Sequence, residues 1–112
     1  KAIEEFNTLI QYEGEHVDVY GYVYRGISYL NKENYKLAIA DFDTAIENYP
    51  QCSMAFFYKG LAYQKLGFQK LAKEAFYTAK SLLERGYIHQ ESYHEVFDAI
   101  SIAMVDDYLE NN

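Results

Sequence analysis

Apolar residues recur at helical spacing along most of this chain. Within residues 1–13, Ile3, Phe6, Leu9 and Ile10 stand at i, i+3, i+6 and i+7, a helical stripe. Gly14 to Asp18 is a polar break, and Asp18 is placed to cap the next helix. That helix, about Val19 to Asn31, is apolar on two sides. At about 100° per residue, Tyr22, Gly26 and Tyr29 gather on one face, and Tyr20, Val23, Ile27 and Leu30 on another. Only the arc of Gly21, Ser28 and Lys32 is polar, so the helix is buried or meets something on its second face.

Asn34 can cap a following helix, about Tyr35 to Asn48. Its stripe is Tyr35, Ala38, Ile39, Phe42, Ala45 and Ile46, with Lys36, Asp43 and Glu47 opposite, and Pro50 stops it. Ser53 to Leu66 again carries two apolar faces, Phe56, Gly60 and Tyr63 on one, and Met54, Phe57 and Leu61 on the other. Gly67 punctuates. Phe68 to Glu84 turns Ala72, Ala75, Phe76, Ala79 and Leu83 inward, and Gly86 suits the left-handed residue that ends a helix. In the tail, Ser92-Tyr-His-Glu95 reads as a capping box opening a helix that runs through about Glu110.

The two central pairs of stretches are copies of one another. Tyr22, Gly26, Tyr29, Ala38, Phe42 and Ala45 return 34 positions later as Phe56, Gly60, Tyr63, Ala72, Phe76 and Ala79. A fixed period of this size marks a helical repeat array. Glycine inside a helix loses about 1 kcal/mol of propensity relative to alanine, so Gly26 and Gly60 predict close helix crossings that offset it. The tail departs from the period: position 94 is His and only Phe97 survives, as expected of a terminal unit that closes a stack.

The repeated positions resemble the tetratricopeptide repeat, an aromatic followed by x2-Leu-Gly-x2-Tyr, then Ala-x3-Phe, then Pro. Here the pattern stands as Tyr22-x2-Arg25-Gly26-x2-Tyr29, Ala38-x3-Phe42 and Pro50, and again as Phe56-x2-Lys59-Gly60-x2-Tyr63 and Ala72-x3-Phe76. Two departures are visible. Arg25 and Lys59 replace the Leu, which predicts a stem along the groove with its charge in water. Glu84 stands where the second copy would have Pro. Residues 1–13 echo the second helix of a partial repeat, through Ala2, Phe6 and Leu9. The resemblance implies an all-α fold of tandem antiparallel helix pairs, a TPR-like α-solenoid. Its units are 1–13, a repeat at 19–50, a repeat at 53–84, and a C-terminal capping helix at 92–110.

The family commonly binds peptides in a concave groove lined by the first helix of each pair. Mapped here, that surface is Tyr20, Val23, Tyr24, Ile27, Leu30 and Asn31, then Met54, Phe57, Tyr58, Leu61, Gln64 and Lys65. Co-chaperone members grip a C-terminal carboxylate with Lys, Asn and Arg at such positions. Val23, Ile27, Phe57 and Leu61 stand there instead, which disfavours that clamp. Two readings of the apolar groove stay open. It anchors a peptide or helix of a partner protein, or it is already covered by the tail helix, by an adjoining repeat or by a second copy. The expected function is thus a non-catalytic protein-protein interaction module. The alternative is an oligomerisation or autoregulatory segment of a larger protein. Co-chaperones and type III secretion chaperones both use short arrays of this kind, and nothing here selects either.

Composition sharpens this picture. A net charge of -7 disfavours nucleic acid and anionic membrane as partners. The 112 residues suffice for one core. Aromatics are 13 Tyr and 7 Phe with no Trp, and Tyr suits surfaces apolar on one side and wet on the other. Cys52 is the single cysteine, which fits a reducing, cytoplasmic setting. It sits at a helix start, where packing is the expected role rather than reactivity. His89 and His94 are five apart and share no helix face, and His94 beside Glu91 and Glu95 reads as a solvated first turn. Asp41, Asp43 and Glu47 read as a wet face. No phosphate loop, catalytic triad or zinc spacing occurs, so no cofactor, metal or enzyme activity is expected. The opening in what reads as mid-helix, without Met, suggests a piece of a longer protein.

Overall fold

In a computed structural model, residues 15–87 and 102–110 are described. They form five helices: α1 (Glu15–Asn31), α2 (Tyr35–Asn48), α3 (Ser53–Leu66), α4 (Gln69–Glu84) and α5 (Ile102–Glu110). No strand occurs among the described residues. α1 packs on α2 and α3 on α4, each pair joined by a turn too short for anything but an antiparallel hairpin, and α2 packs on α3 to stack the hairpins. α5 lies chiefly against α4. The expected stripe of residues 1–13 and the capping box at Ser92–Glu95 fall outside the described residues.

One boundary differs from expectation. α1 begins at Glu15, so Asp18 lies inside the helix rather than capping it. After Gly14 the segment holds no residue that opposes a helix strongly enough to break it. Asn34 does stand at the N-cap of α2, but its side chain makes no capping hydrogen bond. Its backbone N–H instead donates to the Tyr29 carbonyl at 2.8 Å, and the Glu33 N–H donates to Leu30 at 3.0 Å. This is a Schellman closure of α1. One period later the same pair of bonds recurs, Phe68 to Tyr63 at 2.9 Å and Gly67 to Gln64 at 3.1 Å. The motif's apolar contact is present too, as the Tyr63 and Phe68 rings meet edge-on at 6.3 Å. Gly67 takes φ +87 there, while its counterpart Glu33 takes φ +64 with a side chain attached. Gly86, at φ +94, closes α4 in the same way as expected.

The repeated glycines explain how each hairpin closes. A Cβ on Gly26 would lie 2.6 Å from Cε1 of Phe42, and one on Gly60 would lie 2.7 Å from Cε1 of Phe76. Both distances are far inside van der Waals contact, so each phenylalanine ring occupies the space a side chain would need. Ala38, Ala45, Ala72 and Ala79 are buried beside them and let the second helix of each pair approach. The 34-residue period in sequence is therefore a period of one packing unit, a ring laid on a bare stretch of helix.

Candidate interaction site

The residues expected to line a groove divide by depth. Val23, Tyr24, Ile27, Met54 and Phe57 are buried, with Val23, Met54 and Phe57 at no more than 1% exposure. Tyr20, Leu30, Tyr58, Leu61 and Gln64 are half-buried, and Asn31 and Lys65 are exposed at the ends of α1 and α3. The deep residues belong to two buried clusters. Val23, Tyr24, Ile27 and Met54 pack with Val19, Phe42 and Cys52, and Tyr20, Leu30 and Tyr58 lie against this group. Phe57 packs with Ala72, Phe76, Ala79, Leu83 and Val105, with Leu61, Met104, Tyr108 and Leu109 against it. The second apolar face of each first helix is thus largely a stacking surface. Hydropathy alone cannot separate the two uses, because a surface that receives a neighbouring helix and one that receives a partner have the same composition.

Aromatic geometry identifies what α5 does. Between the two hairpins, Tyr58 of α3 stacks on Phe42 of α2, with ring centroids 6.3 Å apart and planes 27° from parallel. At the end of the stack, Tyr108 of α5 stacks on Phe76 of α4 at 5.6 Å and 25°. Phe76 is the period partner of Phe42, so Tyr108 does for the second hairpin what Tyr58 does for the first. Tyr108 also meets the edge of Phe57 at 5.5 Å. α5 therefore stands where the first helix of a further repeat would pack.

The basic departures from the pattern are paired, not solvated as expected. Arg25 donates through Nε and Nη2 to the two carboxylate oxygens of Asp41, at 2.8 and 2.6 Å. Asp41, read from the sequence as wet face, is 5% exposed. The hydrogen bond to Asp41 raises the Arg25 pKa above its ordinary value, against burial and with the nearby charge of Asp41. Arg25 also lies over the Tyr22 ring, 5.5 Å from its centroid. The Arg25 side chain is largely buried, at 15% exposure, and a carboxylate from α2 meets its guanidinium there. Lys59, one period on, pairs across hairpins with Asp43 at 2.5 Å, because the counterpart of Asp41 is Ala75. A third pair, Lys80 with Asp106 at 2.7 Å, ties α4 to α5, and that hydrogen bond raises the Lys80 pKa.

Cys52 stands at the N-cap of α3 yet makes no capping bond and is fully buried. Burial pushes its thiol up to about 11, outweighing the helix-start effect that would lower it. Ser53 beside it donates to the Tyr87 carbonyl at 2.7 Å, fixing the end of α4 to the start of α3. Among the described residues, no three His, Cys, Asp or Glu side chains gather as metal ligands. None of the helices among them is long and apolar enough to cross a membrane.

Stacked antiparallel helix pairs with a periodic ring-on-glycine contact define an all-α helical-repeat fold. Residues 19–52 match the model of the tetratricopeptide repeat, a repeat that generally mediates protein-protein interaction. No curated protein and no solved structure matches the chain.

Proposed function

We propose that this chain is a non-catalytic protein-interaction module whose acceptor surface is the apolar face around Phe57 and Leu61. On this reading α5 occupies that surface until a helix of a partner protein, or the α5 of a second copy, takes its place. The observation that carries it is the placement of Tyr108 on Phe76 and Phe57, in the manner of Tyr58 on Phe42. A surface built to receive one amphipathic helix can receive another of the same character. The rim residues Tyr58, Gln64, Asn31 and Lys65 are accessible in part or whole and would orient the incoming backbone.

The test is competition for the α5 site. A labelled peptide of residues 87–112 is titrated into the intact chain and into the Val105→Asp variant, with helical content followed by circular dichroism. The expected result is at least about tenfold tighter capture by the variant, since its own α5 no longer seats. Equal capture by both, or none by a variant that keeps α1–α4 folded, would refute the proposal. Should Val105→Asp unfold the chain, Tyr108→Ala removes less apolar area and serves the same comparison. Phe57→Glu is no clean probe of binding here. With its ring buried, folding and capture fall together.

A further inference from the structure

A second surface lies on the edge of the stack where the two intra-repeat turns emerge, sharing Lys65 with the rim of the α5 site. The ten Lys and Arg of the chain are outnumbered by 17 acidic residues, yet five of the ten gather there. Lys32 and Lys36 flank the first turn, Lys65 and Lys70 flank the second, and Lys73 follows one turn later in α4. All five are exposed and none forms an ion pair with another described residue, unlike Arg25, Lys59 and Lys80. Among the described residues, Glu33 and Glu74 are the acids that stand beside them in sequence.

The same edge shows apolar side chains to water. Leu37 is 51% exposed, Phe68 53% and Leu71 43%. Lys36-Leu37 and Lys70-Leu71 are one period apart, so α2 and α4 offer the same basic-apolar pair side by side. Between the turns a depression of about 300 Å³ is lined by Tyr35, Leu37 and Leu66 together with Glu33, Asn34 and Lys36. Tyr35, Leu37, Leu66 and Leu71 stand outside both buried clusters.

We infer that this edge docks an acidic, apolar-anchored segment of another protein. The depression accepts an apolar side chain, and the lysines meet the flanking carboxylates. Charge complementarity selects the sign of the partner. The discrete depression and the presence of Glu33 and Glu74 favour a peptide over an anionic bilayer, which offers no single side chain to fill it.

A fluorescein-labelled 12-residue peptide alternating Glu with Leu and Phe is the probe, read by anisotropy on the intact chain. Lys36→Glu with Lys70→Glu should weaken binding at least about tenfold, and raising salt from about 0.05 to 0.5 M should weaken it as well. Leu37→Ser with Leu71→Ser should weaken it about fivefold or more at unchanged melting temperature. An acidic peptide with Ser in place of Leu and Phe should bind correspondingly less. Three results overturn the inference. One is equal binding by wild type and the charge-reversed variant, and another is indifference to the apolar substitutions. The third is association with phosphatidylserine vesicles without peptide binding, which would assign the edge to a bilayer instead. Because Phe57 and α5 are untouched by these variants, failure here leaves the α5 proposal standing, and the reverse also holds.

Discussion

Gly60→Ala sets two effects of known sign against each other. In an open helix the change stabilises by about 1 kcal/mol, through propensity and a less mobile unfolded chain. Here the new methyl would stand 2.7, 2.8 and 3.1 Å from three atoms of the Phe76 ring. That ring is fully buried and cannot swing away, because Phe57 lies 5.7 Å from its centroid and Tyr108 stacks on it at 5.6 Å. Forcing a methyl into a packed site costs about 1–3 kcal/mol, and a clash with a whole ring edge belongs at the upper end. The net expectation is a loss of about 1–2 kcal/mol, several degrees in the melting midpoint of a domain this size. Gly60→Leu should go further and prevent folding. Urea unfolding of Gly60→Ala, Phe76→Leu and the double variant measures the interaction. The double variant should be more stable than the two single losses added, by at least about 0.5 kcal/mol. A Gly60→Ala chain that is more stable than wild type would show that propensity wins, and would refute the ring-on-glycine account of the period.

Glu33→Gly should stabilise by about 0.5–1 kcal/mol in thermal unfolding, since Glu33 holds the left-handed conformation that Gly67 holds one period later. Asp41→Ala should cost about 2 kcal/mol by leaving Arg25 partly buried without its carboxylate, and adding Arg25→Leu should restore most of the loss. If the double variant is as weak as the single, Arg25 is held by something other than that pair. Cys52 should resist iodoacetamide at pH 8 in the native chain and react fully in urea. Its pKa is raised on folding, so the stability it lends is whole below the unfolded value near 9 and fades as pH climbs towards about 11. A Cys52→Ala chain, measured alongside, should show a shallower alkaline decline.

The hairpins were legible because their determinants are local and repeated. Gly26 with Phe42, and Gly60 with Phe76, are each 16 residues apart, and two occurrences of one spacing expose a contact that one would not. Pro50, Gly67 and Gly86 mark turns by backbone chemistry that needs no knowledge of the neighbours. The candidate site was legible only in outline. The second apolar face of α1 and α3 was visible, but whether water, α5 or the next hairpin covers Phe57 depends on a chain segment outside the period. Asp41 was misjudged for a related reason. Its helix face is set by α1 above it, and the one signal, Asp41 against Ala75 at matched positions beneath a basic residue, is a mismatch between copies rather than a match.

The surface ion pairs give the stack an address system. At the first junction the acid belongs to the earlier helix, Asp43 on α2, and the base to the later one, Lys59 on α3. At the second junction the order is reversed, with Lys80 on α4 and Asp106 on α5. α3 carried to α4 would bring a lysine to a face already holding one, and α5 carried to α2 would bring an aspartate to a face holding Asp43. Two apolar surfaces that would otherwise accept the same kind of helix are thereby told apart, by repulsion from the wrong occupant as much as attraction to the right one. Helices exchanged between two copies of this chain would still find their own junctions.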